Sequence, residues 1–485
     1  MNWRAVLALL GSIWLILAAC LLVPMTVGLA ADPGNLRETL AFFVSAAVTA
    51  AVGWAARSQA HEKQTAIGRR EGFAVVTFGW ITAVLVGMAP FLATGTLGVT
   101  DGFFEVMSGF TTTGATVLGP STLPIESLSA GLQFWRCMTQ WLGGMGIVVL
   151  SVALLSVMGV GGYRLVKAET PGGVAFEKDA PRISEAAGNL WKIYVVISAL
   201  EVLALVACGM SLYDATCHTF TTMSTGGFSS HTRSIAYFGP AAQWVIILFM
   251  FLAGMNFALH AQIARGKLKK LFKDPEFRGY TFILLGAGLV SALILTSPGS
   301  LEGKLRAGLF QVVSIGTTTG YATVDFDHWP QILRLALLLL MFVGGSMGST
   351  GGGIKVARII VYGKVITREL HRLVYPSGVR PIRVGGKVMD RALVSNILGF
   401  GVLYLTIFAV GTAVVALAGY DLVTSSSASA AALGNIGPGL ARVGATQDFG
   451  HLPAAVKWVL SMEMLLGRLE IYSVLVLLTP WAWKR

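Results

Sequence analysis

Four short polar segments carry the chemistry of this chain. They are Thr111-Thr112-Thr113-Gly114-Ala115-Thr116, Ser224-Thr225-Gly226-Gly227-Phe228, Thr317-Thr318-Thr319-Gly320-Tyr321-Ala322-Thr323 and Asn435-Ile436-Gly437-Pro438-Gly439. Each follows a short apolar stretch and precedes a long one. What they offer a ligand is backbone carbonyls and threonine hydroxyls. Glycine reaches positive φ without steric cost, so successive carbonyls can turn toward one axis. Irregular backbone at membrane depth is tolerated only where it is buried in protein or lines water. Rings of such carbonyls can replace the hydration shell of a cation. The expected ion ligands are Thr112, Thr113, Gly114, Thr225, Gly226, Thr318, Thr319, Gly320, Asn435, Ile436 and Gly437. Thr319-Gly320-Tyr321-Ala322 comes closest to the T-V-G-Y-G filter signature. One Gly/Thr cluster alone would suit helix packing, because small residues let membrane helices approach closely. Four clusters, each after a short helix, favour a filter.

Two further features bear on such a pathway. The run Gly344-Gly345-Ser346-Met347-Gly348-Ser349-Thr350-Gly351-Gly352-Gly353 interrupts an apolar helix. It is no phosphate loop, since Ile354 separates Gly353 from Lys355 and G-x-x-x-x-G-K-[ST] fails. Its apolar flanks place it in the membrane, where a flexible loop beneath the filter, and so a candidate gate, is favoured over a packing kink. Arg468 lies in the last apolar helix, within Leu465-Leu466-Gly467-Arg468-Leu469-Glu470. A charge at the bilayer centre costs about 2.5–3.5 kcal/mol on insertion scales and usually faces a cavity or a partner. An ion pair with Glu463 or Glu470 is the alternative to a pore-facing arginine, but neither spacing puts the carboxylate directly above Arg468. Asp101, Asp214 and Asp421 lie near the starts of three short helices, as caps or as a negative outer vestibule. Arg306 occupies the corresponding place in the third. Asn256 and His260 are expected on one face of a helix over 245–263, as satisfied packing polars.

The elements that position these residues are transmembrane helices. Of 485 residues, 54% are hydrophobic and only 12% charged, against about 25% charged in an average soluble domain. Runs of about 20 apolar residues recur, each long enough to cross the hydrocarbon core. The expected fold is an all-α polytopic membrane protein: four parallel helix–pore loop–helix repeats around a pseudo-fourfold pore, plus two N-terminal transmembrane helices. The divisions fall at 1–70 for the two N-terminal helices, 71–165 for the first repeat, 166–266 for the second, 267–366 for the third with the gating loop, and 367–485 for the fourth. The expected half-helices are 101–111, 214–223, 307–316 and 422–433. The expected second helices of the second, third and fourth repeats are 241–265, 332–365 (with the break inside it) and 454–481. Because each unit crosses twice and re-enters once, all four point the same way and can surround an axis normal to the membrane.

Charge supports this organisation. The net charge is +12. With both termini inside, most of the 36 basic residues fall on the cytoplasmic side, as the positive-inside rule requires. That accounts for the basicity without nucleic acid. The four cysteines, Cys20, Cys137, Cys208 and Cys217, show no C-x-x-C spacing and suit neither a zinc site nor a disulfide framework. No Ser/His/Asp or metal-ligand constellation is apparent, so no enzyme activity is expected. A membrane-embedded enzyme would need clustered acid, base or metal ligands near one face.

The four loops, the glycine-rich break and the late arginine together resemble the Trk/Ktr/HKT superfamily of cation transporters over essentially the whole chain. The two extra N-terminal helices, with Gln140-Trp141-Leu142-Gly143-Gly144-Met145-Gly146 and Ala168-Glu169-Thr170-Pro171-Gly172, are similar to its bacterial TrkH type rather than to KtrB. The resemblance implies potassium uptake across a bacterial inner membrane through a gated pore driven by the membrane potential. A K⁺/H⁺ or K⁺/Na⁺ symporter on the same scaffold is the alternative. It implies a homodimer with one pore per protomer, K⁺ as the transported ion, and no bound organic cofactor. A cytosolic TrkA-like ring of nucleotide-binding subunits would control the gate, made of Gly344, Gly345, Ser346, Gly348, Ser349, Thr350, Gly351, Gly352, Gly353 and Arg468. Met347 departs from the small residues usual in that loop. In the family, serine at the first filter glycine goes with sodium, so Gly114 implies potassium.

Overall fold

Helix starts are written into the sequence as capping side chains. The Ser211 hydroxyl accepts the Asp214 N–H at 3.0 Å, the Ser300 hydroxyl the Gly303 N–H at 3.1 Å, and the Asp421 carboxylate the Thr424 N–H at 3.1 Å. Each satisfies one of the donors that a helix N-terminus leaves open. All three start the short helices that precede the polar loops.

The computed structural model describes residues 1–59, 68–157, 180–295, 300–378 and 380–483. Two long helices come first, α1 (Trp3–Ala31) and α2 (Leu36–Arg57). Four units of similar plan follow. The first is α3 (Arg69–Ala93), the half-helix α4 (Val99–Phe110) and α5 (Ala130–Val157). The second is α6 (Ala180–Ala207), the half-helix α7 (Leu212–Met223), α8 (Pro240–Ala253) and α9 (Phe257–Ala264), then the short α10 (Leu268–Lys273). The third is α11 (Pro275–Ile294), the half-helix α12 (Leu301–Gly316), α13 (Gln331–Leu340) and α14 (Val356–Val374). A two-residue hairpin, Arg383–Val384 with Lys387–Val388, turns through Gly385 and Gly386, both at positive φ. The fourth unit is α15 (Arg391–Leu417), the half-helix α16 (Leu422–Gly434), α17 (Ala454–Arg468) and α18 (Tyr472–Leu478). The Ala168–Gly172 stretch and the 165/166 division lie outside the described residues.

Among the described residues, six helices are long and apolar enough to cross a membrane, or up to seven if the bent pair α8–α9 counts as one span. Their outward faces are greasy: Phe282 is 79% and Leu417 87% exposed. Lipid tails are as apolar as these side chains, so such exposure carries no penalty there. The chain is a mostly helical membrane protein.

Packing follows the repeat. In every unit the half-helix packs on the helix before it and on the helix after it. At three of the four junctions the later helix also packs on the half-helix of the next unit: α5 on α7, α8 on α12, and α17 back on α4. That last contact joins the fourth unit to the first. One buried apolar cluster, around Phe104, Met107, Trp135, Leu460 and Met464, lies between those two units; another, around Met250, Phe310, Tyr321 and Ile436, joins the second, third and fourth.

Two expected helices are broken. The helix expected over 241–265 bends by 101° between α8 and α9. Asn256 is the cause on one side, since its side chain leaves the helix to cap α9 through the Ala258 N–H at 2.8 Å. Asn256 and His260 therefore do not share a helix face, although both are hydrogen-bonded, His260 to the Leu252 carbonyl at 2.9 Å. The helix expected over 454–481 stops after Arg468, where Glu470 and Ile471 both take φ of 56°.

Candidate ion pathway

The four polar loops share one backbone conformation. Thr112, Thr225, Thr318 and Asn435 sit at φ of 51°, 55°, 63° and 54°. Two residues later, Gly114, Gly227, Gly320 and Gly437 sit at 83°, 74°, 83° and 101°. Between them, the N–H of Thr113, Gly226, Thr319 and Ile436 returns to the half-helix, to the carbonyls of Ser108, Thr221, Ser314 and Ala431, at 2.8–2.9 Å. Three threonines at positive φ are outliers for a β-branched residue. Such strain persists only where its surroundings over-determine it, and it clusters at ligand sites.

This pattern corrects the register of the second loop. The glycine equivalent to Gly114, Gly320 and Gly437 is Gly227, not Gly226. Gly226 is equivalent instead to Thr113, Thr319 and Ile436.

The loops interlock in cyclic order. A Cβ placed on Gly114 would run into the Gly226 carbonyl oxygen, on Gly227 into that of Thr319, and on Gly320 into that of Ile436. On Gly437 it would meet the Thr113 carbonyl oxygen at 2.8 Å. Each left-handed glycine thus faces a carbonyl of the adjacent loop, and the fourth loop closes on the first. Side chains brace the set. The Asn435 amide donates to the Thr113 hydroxyl at 3.0 Å and the Met464 carbonyl at 2.9 Å. Hydroxyl pairs Thr111–Thr113 and Thr317–Thr319 stand 2.8 and 2.7 Å apart. The Tyr321 hydroxyl donates to the His218 carbonyl at 3.0 Å, tying the third loop to the second half-helix.

Behind the first two loops lies a buried ion pair that sequence reasoning missed. Arg136 Nε meets Glu105 Oε1 at 2.5 Å, and each side chain is 1% exposed. Glu105 also accepts the Thr116 hydroxyl at 2.9 Å and the Val117 N–H at 2.9 Å. Arg136 donates to the Ser229 carbonyl at 3.0 Å. Acids also join loop to loop: Glu126 to Thr232, Asp327 to the Ala441 N–H at 3.0 Å, and Asp448 to the Ser121 N–H at 2.9 Å. Burial alone would raise the Glu126 carboxyl, but the hydrogen bonds from Thr232 hold it below its ordinary value.

The acids at the half-helix starts resolve individually. Asp421 is a cap, Asp214 follows the cap Ser211, and Asp101 meets Lys457 Nζ at 2.6 Å. The third half-helix is longer than expected, with 16 residues against 12, 12 and 13. Its first turn carries Glu302, so Arg306 does not stand at the start; it pairs back to Glu302 at 2.8 Å.

On the other side of the loops, the chain between α13 and α14 folds across them. The Gly352 N–H donates to the Thr318 hydroxyl at 2.7 Å, touching the third polar loop directly. The Thr350 hydroxyl reaches the Met223 carbonyl at 3.0 Å. The Ser346 N–H takes the Gly254 carbonyl at 2.9 Å, at the α8–α9 bend, and the Gly348 carbonyl takes the Phe257 N–H at 3.1 Å. The segment holds itself through the Ser349 hydroxyl on the Ser346 carbonyl at 2.6 Å and the Gly351 N–H on that hydroxyl at 3.2 Å. Gly344 and Gly353 pack against one another at positive φ, and Gly345 lies against Gly351. Arg468 is fully buried here and donates to the Thr350 carbonyl at 2.5 Å. It pairs with neither expected carboxylate: Glu470 binds Arg358, and Glu463 accepts the Ser429 hydroxyl at 2.9 Å. Two side chains not foreseen also fix the segment. Glu276 accepts the Met347 N–H at 2.6 Å and the Ala357 N–H at 3.2 Å, and Lys355 Nζ donates to the Gly351 carbonyl at 2.5 Å.

Comparison with known proteins agrees with this arrangement. The family model TrkH, described as a cation transport protein, matches residues 38–480. The Trk system potassium uptake protein TrkH of Escherichia coli strain K12 is 38% identical over the full length of both chains. TrkI of Halomonas elongata is 34% identical, covering 100% of this chain and 98% of its own. The crystal structure of the potassium transporter TrkH from Vibrio parahaemolyticus superposes with a TM-score of 0.90 at 36% identity, covering 100% of each chain.

Proposed function

The chain belongs to the TrkH family of cation transport proteins, and from that premise we propose that it takes up potassium ions through a pore enclosed by its own four units. K⁺ is the transported ion, and the family is one of transporters, not enzymes. The observation that carries this reading is the cyclic interlock of four loops, each left-handed glycine against the next carbonyl. An ion centred there meets main-chain oxygens from every side, which substitute for water. The ligands are the carbonyls and hydroxyls around Thr112–Gly114, Thr225–Gly227, Thr318–Gly320 and Asn435–Gly437. The described helices of each of the four units supply one wall, and α1 and α2 pack outside them.

The segment from Gly344 to Gly353, latched by Arg468, is the gate on the cytoplasmic side. The membrane is the bacterial inner membrane, with both termini in the cytoplasm. The membrane potential drives inward flux with about 2.3 kcal/mol per charge per 100 mV. The protein works as a homodimer, and a TrkA-like cytosolic ring confers nucleotide control on the gate. Purified protein in vesicles, with an inside-negative potential imposed, accumulates rubidium and potassium well ahead of sodium. Equal potassium and sodium fluxes would reject the reading.

One observation keeps a coupled symporter in view. Glu201 on α6, a carboxylate within a candidate membrane span, is fully buried. Reversal potentials measured at fixed potassium over a range of pH separate the two: a channel-like pore shows no shift, and a symporter shifts with the proton gradient.

A further inference from the structure

The second filter loop lacks a side chain that the other three possess. Position by position, Gly226 stands where the first, third and fourth loops carry Thr113, Thr319 and Ile436. The vacated space belongs to another unit. A Cβ on Gly226 would collide with the side-chain amide of Gln140, which projects from α5 of the first unit. Gln140 is completely buried. Its amide nitrogen donates to the Gly226 carbonyl at 2.7 Å, and its amide oxygen accepts the Phe228 N–H at 3.1 Å. Both halves of the amide are thus spent on one loop, on either side of the left-handed Gly227. One turn earlier on the same helix face, Arg136 donates to the Ser229 carbonyl at 3.0 Å, and its guanidinium lies 3.6 Å from the centroid of the Phe228 ring.

Among the described residues, no side chain donates to the carbonyls of Thr113, Thr319 or Ile436. The ring at this level is therefore three carbonyls of one kind and one of another. A carbonyl oxygen has two lone pairs. In Gly226 one is committed to a fixed amide and one is left for an ion.

We propose that Gln140 is a positioning residue of the filter: it replaces the missing side chain of the second loop, holds the Gly226 carbonyl outward, and so keeps the ring from contracting around a smaller cation. This rests on the filter reading above. The loop is otherwise the least constrained of the four, with glycine at two successive positions, and glycine has the most conformational freedom to lose. A buried amide with both groups satisfied is a rigid clamp, because releasing either partner leaves a buried polar group unmade.

The test is a selectivity cycle in reconstituted vesicles, scored as the ratio of potassium to sodium flux. Gln140→Met keeps the volume and removes both hydrogen bonds; the ratio falls roughly tenfold, as expected for one to two buried hydrogen bonds. Gly226→Thr alone drives a side chain into Gln140 and also lowers the ratio. The double variant Gln140→Ala/Gly226→Thr gives the second loop the arrangement of the first and third, and recovers most of the parent ratio. Recovery is the signature that a general loss of packing would not produce. If Gln140→Met does not fold, Gln140→Glu serves, since it keeps the shape and the acceptor but places an oxygen against the Gly226 carbonyl; it too lowers the ratio. A parent-like ratio in the folded single variants, or a double variant worse than both singles, overturns the inference. A parent protein with no preference for potassium sinks the filter reading itself, so the two failures are distinct.

Discussion

At the scale of the residue, Arg468 and Gly114 make the sharpest commitments. The Arg468 guanidinium is buried and spends its best hydrogen bond on the Thr350 carbonyl of the folded segment. A hydrogen bond from a charged group contributes about 1.5–3 kcal/mol. Arg468→Ala is therefore expected to raise basal potassium flux in vesicles about tenfold or more, and unchanged flux from folded protein would reject its role as a latch. Gly114 sits at φ 83° against the Gly226 carbonyl oxygen. Gly114→Ser must displace that oxygen, so sodium should gain on potassium in the same assay. A variant as selective as the parent would show that this position does not govern choice. Glu105→Gln leaves the Arg136 charge buried without its partner, a change that costs about 3–5 kcal/mol in buried pairs. It should shorten the half-life of the folded protein in detergent on warming. The register slip at the second loop has a plain cause. Gly226-Gly227 offers two glycines, and only the folded backbone, with Gly227 at φ 74°, shows which one turns left-handed. Glu105 and Arg136, which lie 31 positions apart, could not be paired from spacing.

At the scale of the element, the segment between α13 and α14 is a strap held at several points. Glu276 matters most after Arg468, because one carboxylate accepts an N–H from the strap, that of Met347, and one from the start of α14, that of Ala357. Glu276→Ala should free the strap and raise basal flux several-fold, roughly the effect of losing two hydrogen bonds of about 1 kcal/mol. Deleting 344–353 should raise it further, and a deletion that stays folded yet conducts like the parent would end the gate proposal. The strap itself was legible, since nine residues of glycine, serine and threonine, interrupted by Met347 alone, cannot continue a helix between apolar runs. The breaks after α8 and α17 were not. Gly254 and Asn256 sit in an apolar run whose composition still suits a span, and the turn at Glu470-Ile471 contains neither glycine nor proline. That turn depends on Glu470 reaching Arg358, a contact made only once α14 is in place. The third half-helix starts before the expected 307 because its cap is Ser300, about one turn further out than its counterparts.

At the scale of the molecule, the half-helices pack on the later helices of neighbouring units at three junctions, a shared apolar cluster joins the third unit to the fourth, and the contact of α17 with α4 joins the fourth to the first. The repeat was visible in the sequence because each unit carries the same order of long helix, short helix and polar loop. Its interlocking was not, since it depends on backbone oxygens of one loop meeting glycines of the next. The proposed homodimer predicts that purified protein runs as a two-copy particle whose flux survives without the cytosolic ring but loses its response to nucleotide. The central claim is that these four loops jointly strip and hold one monovalent cation. Crystals grown in rubidium test it most directly through anomalous scattering. A peak is expected on the axis, within reach of carbonyls from the Thr112, Thr225, Thr318 and Asn435 loops alike. Rubidium found only between helices or at the surface, in protein that still transports it, would contradict a site shared by the four loops.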